Sequence, residues 1–342
     1  MKLLDIKNLR VYFEAEGGIV KANDGVSLEL GESEILGLIG ETGCGKSILG
    51  RVVMRLLSEK ARVEGRLLYK GQDLLTLPEN KMRLFRGKEI GIMLQNPAQA
   101  LNPVLTVGEQ LAEIYRFHEG LREREAKEKA RAMFKRVGIK PDRLGEYPHQ
   151  FSGGMQQRVM LAIGLALKPS LLIADEPTKG LDPSTKHQIV ALLSALVREE
   201  HSSLLLITHD LEVAATICDR IAVMYAGEIL EAGPAKKILS SPGHPYTRNL
   251  LHSLPKYGLN VAVGQSPSLI SPPLGCRFHP RCGSCLKKCS KIHPDLLKTG
   301  PRTYVRCHVY GKSGKADEIM KGAPEEMSEK TKNTAEVGRC HF

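Results

Sequence analysis

A chain of 342 residues with a 42% hydrophobic fraction is long enough for more than one compact unit and apolar enough to bury a sizeable core. No window supplies the ~18 uninterrupted apolar residues of a membrane-spanning helix, and Asp5 and Lys7 break the apolar run after Met1, so neither a span nor an export signal is expected. The net charge of +11 is concentrated, because residues 256–312 carry ten Lys and Arg against one acid, Asp295; a short basic segment is weak support for a nucleic-acid stripe.

In chain order, alternating Leu9, Val11 and Phe13 predict a strand, followed by a Glu-Ala-Glu-Gly-Gly turn. Ile35-Leu-Gly-Leu-Ile39 reads as a buried strand, and helical periodicity takes over after Lys46. Between them stands Gly40-Glu41-Thr42-Gly43-Cys44-Gly45-Lys46-Ser47, a glycine, four residues, then Gly-Lys-Ser. Glycines at this spacing let backbone N–H groups curl around phosphates, and the following helix points its positive end at them. Lys46 supplies a charge to the β- and γ-phosphates, Ser47 an oxygen to Mg²⁺, and Ile48 follows in the first helical turn. Cys44 fits as a small residue giving only its backbone N–H. The strand before the loop and the helix after it make this a nucleoside triphosphate site rather than a simple glycine turn.

Residues 96–164 read as mostly helical: Thr106 can cap one helix, 121–137 form a charged second, and Ser152 can cap a third. Strand-like runs return at 171–174, 203–208 and 221–225, and Ala226-Gly227 makes a tight turn into 228–231. Strands alternating with helices around an inserted helical block imply an α/β core plus a helical subdomain. After Pro255 the composition shifts. Gly, Ser and Pro dominate 264–275, a linker or wrapped arm, and a cysteine-rich stretch follows to about Tyr310. The charged, apolar-poor residues 313–342 are expected to be a disordered tail.

The apolar run Leu171–Ala174 ends in Asp175 and Glu176. A carboxylate at a strand end can hold Mg²⁺, and its neighbour can polarise the attacking water. Taken with Gln95, with Phe151-Ser152-Gly153-Gly154-Met155 before Gln156-Gln157-Arg158, with Asp182 and with His209, the order of motifs resembles the ABC ATPase cassette. That resemblance implies a RecA-like P-loop core with an antiparallel β subdomain over residues 1–95 and 165–255, and a helical subdomain over 96–164. It implies Mg²⁺ held by Ser47, Gln95 and Asp175, Glu176 as base, and His209 as the switch at the γ-phosphate. Phe13, with Tyr12 beside it, sits where the family stacks adenine, although a strand-core role would also suit it. Gly180-Leu181-Asp182 looks like the loop that crosses the dimer. Ser152, Gly153, Gly154 and Met155 would face the γ-phosphate bound by a second cassette, with Met in place of the family's commoner Gln.

Pro242-Gly-His-Pro-Tyr246 through Leu251 is similar to the end of the cassette in the dipeptide/oligopeptide importer ATPases, and Gly275-Cys276-Arg-Phe-His-Pro-Arg-Cys282, Cys289 and Val305-Arg-Cys307-His resemble that family's carboxy-terminal extension. Met155 and the Val159-Met160 run match the D-type branch of that family. The resemblance implies a small Cys-rich domain over 256–312, import of di- or oligopeptides driven by ATP, and a place on the cytoplasmic face of the cell membrane. Partners would be two permease subunits, an F-type ATPase or a second copy of the chain, and indirectly a peptide-binding protein outside the membrane. Nickel and some sugar importers share this architecture.

Eight cysteines in a cytosolic chain argue for metal or isolated thiols rather than disulfides. Cys276, Cys282, Cys289 and Cys307 suit a [4Fe–4S] cluster, toward which the resemblance tilts, or Zn²⁺ with His279, His293 or His308 substituting, or thiols with no ligand. The surrounding basic residues would offset the cluster's charge, and Cys285 confuses the register. Cys218 reads as core. A competing reading is a soluble ABC ATPase acting on nucleic acid or ribosomes. One ribosome-recycling member carries iron–sulfur centres but has two cassettes, and the 56 residues between Gln95 and Ser152 leave no room for the long insertions of DNA-repair members.

Overall fold

The computed structural model of the chain describes residues 1–253 and 264–310. Strands β1 (Lys2–Ala15) and β2 (Gly18–Gly31) pair antiparallel about the expected Gly-Gly turn, with Leu9 and Val11 buried and Phe13 only partly so. After β3 (Ile35–Ile39), buried at every residue, the chain passes through the glycine loop into α1 (Lys46–Val53). Strands β4 (Arg62–Tyr69) and β5 (Gln72–Asp73) join the first pair in a four-stranded antiparallel sheet of order β2-β1-β4-β5.

Helix α2 (Glu79–Lys88) and strand β6 (Ile90–Met93) lead into a helical block of α3 (Pro97–Ala100), α4 (Val107–Glu119), α5 (Glu123–Arg136) and α6 (Gly153–Leu165). Thr106 opens α4 as the sequence predicts: its hydroxyl accepts from Glu109 N at 3.2 Å, and the Glu109 carboxylate accepts from Thr106 N at 2.8 Å. Helix α5, charged overall, buries Ala126, Ala130, Met133 and Phe134, a stripe at i, i+4, i+7 and i+8 that faces the block's interior.

The chain then builds β7 (Leu171–Asp175), α7 (Pro183–Glu199), β8 (Ser203–Thr208), α8 (Leu211–Ile217), β9 (Arg220–Tyr225), β10 (Glu228–Pro234), α9 (Ala235–Ser240) and α10 (Pro245–His252). Strands β6, β7, β8, β3 and β9 run parallel, and their near-continuous apolar sequences fit strands covered on both faces. Ala226 and Gly227, at φ of 45° and 84°, form the tight turn that returns β10 antiparallel to β9. Beyond β10 the same sheet continues through β12 (Thr303–Val305) to β11 (Leu297–Gly300) at its edge.

This last pairing differs from the separate Cys-rich domain that the sequence suggests. The described part of the extension adds two strands to the core sheet and shares its core: Cys276, Phe278 and Cys289 pack with Tyr225, Ile238, Tyr246 and Leu251. The segment has too few apolar residues to bury a core of its own, so it borrows one. His244 anchors the seam. It is buried, its Nδ1 accepts from Tyr246 N at 3.0 Å, and burial pushes its pKa down to about 3, so the ring is neutral. Residues 256–263 and the expected tail at 313–342 lie outside the described residues, and no described helix is long and apolar enough to cross a membrane.

Candidate active site

The glycine loop joins the carboxyl end of β3 to the amino end of α1, where the sheet opens. Gly45 is the cap of α1 at φ 106°, and a Cβ there would lie 2.1 Å from Ala22 O, so only glycine closes this turn. Lys46, buried, donates through Nζ to Gly40 O at 2.8 Å and Glu41 O at 2.9 Å, which holds the loop curled around its own ammonium group. Cys44 is packed inside with its thiol pKa raised by burial, in keeping with a small space-filling residue.

A cleft of about 500 Å³ opens over this loop. Thr42, Gly43, Gly45, Lys46, Ser47 and Ile48 form its floor, Phe13, Val20 and Ala22 line it from the amino-terminal sheet, and Gln95, Glu176 and His209 line it from the core. Ser47 Oγ donates to Asp175 Oδ1 at 2.9 Å. Burial, with the Glu176 carboxylate adding to it, holds the Asp175 pKa above the ordinary aspartate range, and a bound cation would reverse that balance. Glu176 sits just past β7 in the left-handed region at φ 50°, a conformation costing on the order of 1–3 kcal/mol for a non-glycine residue. Hydrogen bonds from Glu176 N to Ile207 O at 2.8 Å and from Lys179 N to Glu176 O at 3.1 Å fix it there. The Glu176 carboxylate meets His209 Nδ1 at 2.8 Å. A buried carboxylate held against an imidazole, beside a phosphate cradle and a magnesium-type oxygen pair, is suited to activating water for phosphoryl transfer.

Other residues singled out in the sequence stand elsewhere. Tyr12 points away from the cleft, its hydroxyl donating to Asp24 at 2.6 Å, and burial pushes its pKa up to about 12. Ser152 and Gly153 are exposed at the start of α6 and do not line the cleft of their own chain. The Ser152 side chain makes no capping bond, contrary to the cap expected from sequence. Asp182 caps α7 by accepting from Thr185 N at 3.0 Å, and α7 starts against α6: a Cβ on Gly154 would be 2.4 Å from Thr185 Cγ2. The signature and the Asp182 loop therefore share one surface. Met155 is turned inward, its sulfur 3.1 Å from Arg143 Nη1. Lys179 and Leu269 line the cleft although no motif singled them out.

In the extension, Cys276, Cys289 and Cys307 are buried and Cys282 is partly so. Burial raises the thiol pKa of Cys276 to about 12 and of Cys282 to about 11, and the four sulfurs lie close enough to influence one another's ionisation. Cys285 Sγ is directed instead to Leu286 O at 3.6 Å. Among the described residues no three His, Cys, Asp or Glu side chains are grouped to hold a metal ion. The histidines weighed as zinc ligands are engaged otherwise: His279 with Cys276 O at 2.9 Å, His293 with Glu228 at 2.7 Å and His308 with Ile292 O at 2.7 Å. The basic balance also has a different use from the one expected. Arg277 pairs with Asp24 and Glu228, Arg281 with Glu41 and Arg302 with Glu34, so these cations staple the extension to the cassette.

Comparison with known proteins agrees with this geometry. Residues 23–179 match the ABC transporter family, and residues 230–289 match the oligopeptide/dipeptide transporter carboxy-terminal region. The dipeptide transport ATP-binding protein DppD of Bacillus subtilis is 45% identical over 90% of this chain and 94% of its own. A putative peptide import ATP-binding protein of Brucella abortus is 44% identical over 88% and 93%, and DppD of Haemophilus influenzae 42% over 90% and 96%. Among solved structures, the dimeric ATP-binding cassette MJ0796 in a post-hydrolysis state with ADP and Pi matches with TM-score 0.62 and 27% identity, over 68% of this chain and 98% of its own. CbiO1 of Clostridium perfringens, part of the ABC transporter complex cbiONQ, matches with TM-score 0.60 and 27% identity, over 75% and 97%. The chain belongs to the ABC transporter ATPases, in the branch that carries the oligopeptide/dipeptide transporter carboxy-terminal region.

Proposed function

We propose that this chain is the D-type ATP-hydrolysing subunit of an importer of di- or oligopeptides, working on the cytoplasmic face of the membrane. The observation that carries the reading is the joining of the ABC cassette to the transporter-type extension in a chain matched over nine-tenths of its length by a dipeptide transport ATP-binding protein. Arg277 and Arg281 are buried against carboxylates and Arg302 pairs with Glu34, so these three cations serve contacts within the chain.

In this reading Lys46 and the loop amides bind the phosphates, and Phe13 stacks on adenine. Ser47, Asp175 and Gln95 would hold Mg²⁺, which supplies positive charge to the β- and γ-phosphates. Water attacks the γ-phosphorus as its proton passes to Glu176, the bond to the ADP oxygen breaks, and His209 contacts the transferred phosphoryl group. Ser152 and Gly153, exposed and outside their own cleft, with the buried Gly154 behind them, serve the γ-phosphate of a second cassette: an F-type relative or another copy.

The permeases dock in a groove of about 440 Å³ between the core and the helical block, where apolar Met54, Leu56, Ile114, Phe117 and Ile163 are flanked by Arg83, Arg86 and Glu113. Leu56 and Phe117 remain 45% and 47% exposed there, with Arg83 over the Phe117 ring, as suits a surface that awaits an amphipathic partner helix. Phe117→Asp is expected to abolish co-purification with the two permease subunits and peptide uptake, while ATP still binds the isolated chain. Uptake at the parent rate in that variant would remove the groove from the assignment, and uptake of nickel or sugar instead of peptide by the assembled transporter would replace the cargo.

Cys276, Cys282, Cys289 and Cys307 hold a [4Fe–4S] cluster in this proposal. The support is four neighbouring thiols in a sheltered seam, with Cys276, Cys289 and Cys307 buried and Cys282 partly so. Anaerobically purified protein should contain four irons and four sulfides per chain and absorb near 400 nm. One zinc per chain, or no metal, sinks the cluster.

A further inference from the structure

The nucleotide cleft has one wall that the cassette itself does not supply. From Gly264 the chain runs back over the amino-terminal sheet, where Lys21 N donates to Leu269 O at 2.9 Å. Ile270 closes over the turn so tightly that a Cβ on Gly18 would lie 2.9 Å from Ile270 Cγ2. Leu269 thereby lines the cleft along with Phe13 and Val20, its back against the core that holds Tyr225, Tyr246 and Phe278.

The arm is secured at both ends to the parts of the cassette that shape the cleft. On one side Ser266 donates to the Glu41 carboxylate, which also pairs with Arg281 at 2.9 Å; Glu41 N donates to Tyr246 Oη at 3.0 Å. On the other, buried Arg277 pairs with Asp24 on β2 and Glu228 on β10 and donates to Ala226 O. An apolar side chain held this firmly at the Phe13 side of the cleft, away from the charged floor, is placed to bury the face of a purine.

We propose that Leu269, on the carboxy-terminal arm, is a nucleotide-contacting residue that packs on the base of bound ATP and contributes to affinity through the base rather than through the phosphates. This rests on reading the cleft as the ATP site. Removing most of the side chain in Leu269→Ala deletes a few buried methyl and methylene groups, for which the expected loss is about three- to tenfold in ATP affinity.

The test compares equilibrium binding of ATP and of inorganic tripolyphosphate, a probe with no base, to the full chain in the presence of Mg²⁺. Leu269→Ala should bind ATP about three- to tenfold more weakly, tripolyphosphate as the parent does, and Leu269→Met should restore most of the ATP affinity. Parent-like ATP binding by Leu269→Ala would overturn the proposal, and so would an equal loss of both ligands, which marks a distorted cleft. A parent protein that binds neither ligand, or a Lys46→Ala variant that binds both as the parent does, would instead overturn the reading of the cleft itself.

Discussion

Glu176→Gln is expected to lower ATP turnover about 10²–10⁴-fold and to leave ATP locked between two cassettes. The amide keeps the size and most of the contacts of the carboxylate but takes no proton from water. Glu176 occupies its strained left-handed position whatever its side chain, because the hydrogen bond from its backbone N–H to Ile207 O fixes it. Binding energy for ATP should therefore survive while the chemical step fails. Light scattering of the variant with MgATP, alongside its partner ATPase where one is required, should show a long-lived dimer that the parent forms only briefly. Turnover at the parent rate would assign the base to another residue.

Lys46→Ala is expected to weaken MgATP binding by about 10–100-fold, read by equilibrium binding of a fluorescent ATP analogue. A charge-assisted hydrogen bond to a phosphate contributes on the order of 1.5–3 kcal/mol. Here the loss is compounded, because the ammonium group also organises the loop through Gly40 O and Glu41 O. The loop would be both less attractive to phosphate and less well formed before phosphate arrives. An unchanged affinity would mean that the phosphates lie elsewhere.

Much of this was legible in the sequence because the chemistry is local. The phosphate loop needs spaced glycines and a lysine within eight residues, and β3, α1 and the strand ending at Asp175 carry their apolar patterns on their faces. Thr106 announces its helix by the Glu three residues on, and the structure forms both bonds. What was hidden depends on pairings between distant segments. Leu269 sits in a Gly/Ser/Pro-rich stretch with no periodicity, and only its bond to Lys21 brings it to the cleft. The ten basic residues of 256–312 read as one charged block, yet Arg277 and Arg281 are committed to Asp24 and Glu41, more than two hundred positions earlier. Strands β11 and β12 are too short and too polar to be recognised alone, and they exist because β10 offers an edge. The sequence also suggested Ser152 as a helix cap, whereas its exposed hydroxyl makes no capping bond.

Leaving that hydroxyl uncommitted fits an anion that comes from outside the chain, since α6 presents its positive end at the surface and away from its own cleft. The most direct test is specific ATPase activity across a dilution series, with the partner ATPase added at equal concentration where the chain alone is inactive. Activity per chain is predicted to fall as dilution separates the cassettes and to vanish in Gly154→Val, whose side chain would meet Thr185 where the two helices begin. Full activity at every dilution, in the parent and in Gly154→Val alike, would mean that a single chain hydrolyses ATP unaided.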